Sequence, residues 1–246
     1  MINSLKFQKP RELKRNILLS PDKKILYFSI PKCACSTVKV FLRTLYGQDP
    51  DEATLNPHSI ENSSLLNYSD LDGDQELNQL IEDESVFKFS IIRDPRSRVY
   101  SAYIDKFVNA PKDVQKIFLK QLGSIEDKYL EGTENISFEY FLRLISQQSP
   151  LQMNAHWRPM TNQILGLSPN QINLYNLSEV SHALKDVESF SDVTNIYTRI
   201  DLNFSPHATK ASNASFAISK EMISLIVNTY KDDLYLYLYR EVFSLV

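Results

Sequence analysis

The sequence predicts an α/β fold: a single domain with a central, mostly parallel sheet flanked by helices. Three observations predict it. Residues 25–30 (ILYFSI) and 86–92 (VFKFSII) are apolar runs of strand length. Each is followed by apolar residues at helical spacing, and a third, shorter pair follows where QINLYN (171–176) precedes a helical stretch through Leu184. Strands alternating with helices imply parallel pairing, because a helix must carry the chain back to the start of the next strand.

The first 24 residues read as an N-terminal extension and residues 25–246 as one domain. After the first strand, which Pro31 bounds, Val38, Phe41, Leu42 and Leu45 fall on one helix face and Gly47 stops the helix. Residues 48–84 are polar and turn-rich, a surface excursion with at most short helices. The second strand ends at Arg93-Asp94-Pro95, where Asp94 suits an N-cap and Pro95 the first helical position. Tyr100, Tyr103, Ile104 and Phe107 then repeat the helical spacing. Residues 108–135 are again polar. Ser137 can cap a helix that carries Phe138, Phe141, Leu142 and Ile145 on one face, and Ile223, Ile226, Val227, Tyr230 and Leu234 mark one long closing helix.

Composition bounds the function. The 246 residues are 43% hydrophobic and 23% charged, as in a soluble globular protein. A net charge of -3 and a pI near 5.9 argue against a nucleic-acid partner while permitting a local basic pocket. No apolar run approaches the roughly 20 residues of a membrane span, and the N-terminus has no signal-peptide core. A cytoplasmic protein without a membrane span is the expectation. Cys33 and Cys35, the two cysteines, lie too close in sequence for an unstrained disulfide and are too few for a structural zinc site. They read as small residues packed around a turn, or, for Cys33, as a thiol activated by Lys32.

Both strong segments place a basic residue at the carboxyl end of a strand, just before a helix. That is where open α/β sheets bind ligands, and a helix N-terminus offers free N–H groups and a positive dipole end to an anion. In PKCACST, Lys32 supplies a point charge and Ser36 and Thr37 supply hydroxyls, although the turn contains no glycine. In the second segment Arg93 can grip a phosphate with its fork of donors, and Arg98 and Ser101, three residues apart, can share one helix face. A lone lysine after a strand is often merely solvated, and Arg-Asp-Pro is often only a capped turn. Two such segments in one chain favour a single ligand with two anionic groups.

PKCACSTVK resembles the 5′-phosphosulfate loop, and FKFSIIRDPRSRVYSAYIDKF the 3′-phosphate motif, of carbohydrate sulfotransferases of the chondroitin/dermatan type. These use 3′-phosphoadenosine 5′-phosphosulfate (PAPS). NAHWRPMTNQIL (154–165) is similar to a His-Trp-x-Pro segment of that family, and LIVNTYKDDLYLY to its closing helix. The resemblance covers roughly residues 25–240. It implies a P-loop-like sulfotransferase fold and a PAPS-binding site formed by Lys32, Cys33, Ala34, Cys35, Ser36, Thr37, Arg93, Arg98 and Ser101. It also implies sulfuryl transfer to a hydroxyl or amine of a sugar or a small molecule; because a sulfuryl group carries less charge than a phosphoryl, no metal is expected. The animal relatives are Golgi-anchored, and a chain without a membrane segment suits a bacterial cytosolic version. Loops 48–84 and 108–135 match nothing in the family, which leaves the acceptor open.

Lys32 is the expected stabiliser of charge on the leaving group. A histidine fits best as general base. His58, in the excursion after the first anion helix, is the first candidate and His156, beside Trp157, the second; a carboxylate, or no general base, is a further alternative. His182 and His207 read as structural or exposed. Other readings are a P-loop-like kinase using ATP, disfavoured by the lack of G-x-x-x-x-G-K-[ST] and by the second anion motif, and a non-catalytic nucleotide-binding domain.

Overall fold

The computed structural model describes residues 1–246 apart from 124, 133, 192–217 and 244–246. Among the described residues the sheet has five strands in the order β3-β1-β2-β4-β5. Its functional half is parallel: β2 (Ile25–Phe28), β4 (Phe87–Ile92) and β5 (Asn173–Asn176) run side by side, with Tyr27 opposite Phe89 and Ile91 opposite Tyr175. β1 (Ile17–Leu19) and β3 (Leu66–Asn67) add an antiparallel edge. All four residues of β2 and the last four of β4 are buried, as strands covered on both faces must be.

The first 24 residues differ from the expected extension. They hold α1 (Pro10–Asn16) and β1, and β1 pairs with β2 along Ile17–Phe28, Leu18–Tyr27 and Leu19–Leu26. The chain then runs through β2 into α2 (Cys35–Leu45), which ends before Gly47, a residue at φ +88°. The 48–84 excursion is more regular than its composition implies: α3 (Pro50–Leu55), the edge strand β3 and α4 (Gly73–Glu82). Its buried Leu77 and Ile81 join the main core.

After β4, Asp94 accepts from the Arg96 N–H and Pro95 opens α5 (Pro95–Tyr103), as the sequence implies. The helix continues as a π-helical turn over Ile104–Val108. α6 (Lys112–Leu119) and α7 (Asp127–Leu130) lie in the polar stretch, and Ser137 caps α8 (Phe138–Ile145) through the Tyr140 N–H. α9 (Met160–Gln163), β5 and α10 (Val180–Phe190) follow. The closing segment is two helices, α11 (Lys220–Thr229) and α12 (Lys231–Phe243), broken at Tyr230. Tyr230 is fully buried and donates to the Trp157 carbonyl at 2.6 Å, so this anchor bends the chain where periodicity alone continues.

Two apolar clusters result among the described residues. One surrounds the sheet; the other joins Val99, Phe107, Phe141, Trp157, Ile226 and Tyr230 between α5, α8 and α11. Among the described residues no helix is long and apolar enough to cross a membrane.

Candidate active site

The loop after β2 solves without glycine a problem that usually needs it. Lys32 lies at φ +70° and Ala34 at φ +53°, left-handed conformations that cost about 1–2 kcal/mol per non-glycine residue. The turn persists because arginines hold its carbonyls from behind. Arg98 Nε donates to the Pro31 carbonyl at 3.1 Å and Arg93 Nη1 to the Lys32 carbonyl at 3.3 Å. The Val38 N–H closes the first turn of α2 on the Ala34 carbonyl at 3.1 Å. The N–H groups of Cys35, Ser36 and Thr37 therefore have no intrahelical acceptor, which is the anion-binding end of a helix.

A cavity of about 850 Å³ opens over this loop, within the size range of small-molecule sites. Lys32, Ala34, Cys35, Ser36 and Thr37 line one side, and Arg93 and Ser101 line another. His58 and His156 both reach it, as do Arg11 and Arg15 of α1. The two anion segments thus meet at the carboxyl ends of neighbouring parallel strands.

Two members of the expected ligand set do not face this space. Arg98 is 1% exposed, and besides Pro31 it donates to the carbonyls of Arg158 at 2.8 Å and Ala155 at 3.2 Å. Its guanidinium is committed to backbone, so it braces the loop. Cys33 is fully buried, with its sulfur 4.0 Å from that of Met160, and burial pushes its thiol up to about 12. That removes the activated-thiol alternative, because the thiolate is the reactive form. Cys35 is half-buried and lines the cavity.

Lys32 has a partner that its sequence neighbourhood does not reveal. Its Nζ lies 3.1 Å from Asp105 Oδ2, and Lys106 Nζ lies 3.0 Å from the same oxygen. Asp105 and Lys106 occupy the π-helical turn, whose wider winding departs from the 3.6-residue spacing of α5. Burial pulls the Lys32 ammonium below the usual lysine value, with Asp105 opposing that shift. Burial alone would raise the Asp105 carboxyl, but Lys32 and Lys106 together hold it below the usual carboxylate range. Burial likewise lowers the Arg93 guanidinium. Both cations are thus poorly solvated and gain from an anionic ligand.

The two candidate histidines have different surroundings. His58 is exposed, and its Nε2 is 2.9 Å from Ser36 Oγ in the anion loop. His156 is half-buried, with Nδ1 2.6 Å from Asn154 Oδ1 and its ring edge-on to Phe118 at 5.8 Å. Burial, then Lys106 and Lys32, push its pKa well below the ordinary histidine value, so the ring is neutral at pH 7. His182 is exposed on α10 away from the cavity, and His207 lies outside the described residues.

The profile of the Sulfotransferase family matches residues 15–240. Carbohydrate sulfotransferase 14 of Mus musculus is 31% identical over 158 residues, which cover 61% of this chain and 39% of the relative. The Danio rerio protein of the same name is 29% identical over 157 residues, 62% of this chain and 41% of its own. Carbohydrate sulfotransferase 11 of Rattus norvegicus is 27% identical over 163 residues, 61% and 45%. The chain spans less than half the length of these relatives. No solved structure matches it. With a profile match running from β1 to α12, and with both anion segments inside it, the chain belongs to the Sulfotransferase family.

Proposed function

We propose that the chain transfers a sulfuryl group from PAPS to a hydroxyl of a sugar acceptor. The observation that carries this reading is the convergence of two anion sites on one cavity: Lys32 with the start of α2, and Arg93 with Ser101. A donor bearing a 5′-phosphosulfate and a 3′-phosphate has two anionic groups to match, and the relatives' names speak for a carbohydrate acceptor.

The donor supplies an activated sulfuryl group on a phosphate leaving group. Lys32 and the free N–H groups of α2 stabilise the negative charge that grows on the departing 5′-phosphate as its bridging S–O bond breaks. Arg93 and Ser101 hold the 3′-phosphate and fix the nucleotide for in-line displacement. A histidine accepts the acceptor's proton as its oxygen bonds to sulfur. We assign that role to His156, in reverse of the order that sequence favours. His156 lines the cavity and its ring bonds to protein only through Nδ1 among the described residues, whereas His58 Nε2 is engaged with the Ser36 hydroxyl. His58 then steadies a hydroxyl of the anion loop.

Transfer of labelled sulfate from PAPS to a panel of galactosamine- and glucosamine-containing saccharides and small hydroxylated metabolites tests this reading and ranks sugar against small-molecule acceptors. A thermal-shift comparison of adenosine 3′,5′-bisphosphate with ATP separates it from the kinase alternative. Stabilisation by ATP but not by the bisphosphate would refute it.

A further inference from the structure

We propose that Asn154 is a positioning residue that fixes the tautomer of His156, placing the proton on Nδ1 and leaving the Nε2 lone pair for the acceptor hydroxyl. The inference rests on the sulfuryl-transfer reading of the cavity.

Its basis is a set of hydrogen bonds whose directions are forced. The backbone N–H of His156, which can only donate, lies 2.9 Å from Asn154 Oδ1. That atom must therefore be the carbonyl oxygen of the amide, and the amide cannot be turned over. The same oxygen lies 2.6 Å from His156 Nδ1, so Nδ1 must carry the proton. The other end of the amide agrees: Asn154 Nδ2 donates to Gln121 Oε1 at 2.6 Å, and Gln121 Nε2 donates to the Ile117 carbonyl at 3.2 Å. Each amide in the chain from α6 to His156 has its oxygen accepting and its nitrogen donating.

Around this chain the backbone is held still. The Ala155 carbonyl accepts from Arg98 Nη2 at 3.2 Å and from Gln163 Nε2 at 2.6 Å. His156 Nε2 has no hydrogen-bond partner among the described residues, and His156 lines the cavity. A neutral imidazole free in water favours the opposite tautomer, whose Nε2–H cannot accept a proton. Imposing the rarer form is what makes Nε2 a base. The charged groups acting on the ring are Lys106 and Asp105 from the π-helical turn, Lys32 from the anion loop and Arg98 from α5.

The test has a readout apart from activity. Long-range ¹⁵N–¹H spectra of the full chain, with the ring assigned by comparison with His156→Gln, distinguish the two tautomers. The expected wild-type signature is Nδ1–H. Asn154→Ala should shift the ring towards Nε2–H and lower kcat at least about tenfold, as loss of a competent base requires, with KM for PAPS little changed. Asn154→Asp, which still accepts from Nδ1–H, should keep the tautomer and restore most of the turnover. It should also move the acid limb of the pH profile upward, because a carboxylate favours the imidazolium. An Nε2–H signature in the wild type overturns the proposal, whatever the variants do. So does an Asn154→Ala protein that loses the Nδ1–H form yet keeps its kcat. A wild type that shows Nδ1–H but transfers no sulfuryl group would instead sink the reading of the reaction and leave the tautomer assignment standing.

Discussion

Asp105 Oδ2 bridges Lys32 Nζ at 3.1 Å and Lys106 Nζ at 3.0 Å, so the lysine at the head of the anion loop is held by a carboxylate 73 residues away in sequence. One carboxylate offsets only part of the charge of the two ammonium groups, and of the three groups Lys32 and Asp105 line the cavity. It also fixes the direction of Lys32, whose side chain is only 10% exposed.

Removing that cation should affect turnover more than binding. Lys32→Ala is expected to lower kcat about a hundredfold or more, the scale of losing one preorganised donor at a developing charge. Affinity for adenosine 3′,5′-bisphosphate should change much less, because Arg93 and Ser101 remain. Titration calorimetry beside steady-state kinetics separates the two, and unchanged kcat would remove Lys32 from the chemistry.

Removing its partner should shift the alkaline limb of activity. Burial lowers the Lys32 pKa and Asp105 raises it. Asp105→Asn deletes the opposing influence, so the folded pKa falls further. If the charged ammonium is the active form, activity is lost as pH rises through that pKa, and the limb moves to lower pH in the variant. A limb that stays in place would mean that Lys32 does not govern it.

Arg93 is expected to act on the 3′-phosphate. Arg93→Ala should weaken the bisphosphate by about 2–3 kcal/mol, roughly 30- to 150-fold, since a charge-assisted contact is lost. Preference over the analogue lacking the 3′-phosphate should shrink in parallel. If the variant discriminates as strongly as the wild type, the 3′-phosphate is held elsewhere.

Arg98 should behave differently from Arg93 although both belong to one motif. Arg98→Ala takes the donor from the buried carbonyls of Pro31 and Arg158, while Ala155 keeps Gln163 Nε2, a loss on the order of 3 kcal/mol of folding stability. Denaturant unfolding should show it without any nucleotide present. A variant as stable as the wild type but weak for the bisphosphate would return Arg98 to the ligand set.

The contrast between these arginines shows what the sequence can carry. β2, β4, the Asp94 cap and the Ser137 cap are legible because strand runs and caps are local patterns. β1 and α1 have three and seven residues, too few to display a period, and the break at Tyr230 is set by its bond to Trp157, 73 residues distant. Lys32, Arg93 and Ser101 are legible as a motif, since strand ends and helix starts define where ligands sit. Whether Arg98 turns to the ligand or the loop depends on carbonyls 57 to 67 residues away, and a helical wheel does not contain that information. Asp105 escapes for the same reason, its partner Lys32 lying 73 residues away, whereas Asn154 stands only two residues before His156 and it is its other partner, Gln121, 33 residues away, that packing supplies.

The histidines give the last prediction. Burial depresses the His156 pKa, with Lys106 and Lys32 adding to the effect, so the ring stays neutral down to a pH below the ordinary histidine value near 6.5. Activity that needs a neutral base should therefore fall only as pH drops through that depressed pKa, giving an acid limb below about pH 6.5. Folding stability should weaken in the same direction. Between the unfolded and folded pKa values the unfolded chain binds the proton and the folded chain does not, so stability is fully present above the unfolded value and lost as pH falls through the folded one. His156→Gln should abolish the acid limb and lower kcat by about a hundredfold or more, while bisphosphate affinity holds. His58→Ala should instead loosen the Ser36 hydroxyl and raise KM for PAPS, with kcat changed by less than about tenfold. Kinetic profiles of both variants from pH 5 to 9, with circular dichroism to confirm folding, decide the assignment. Should His58→Ala remove the acid limb while His156→Gln keeps it, the base is His58.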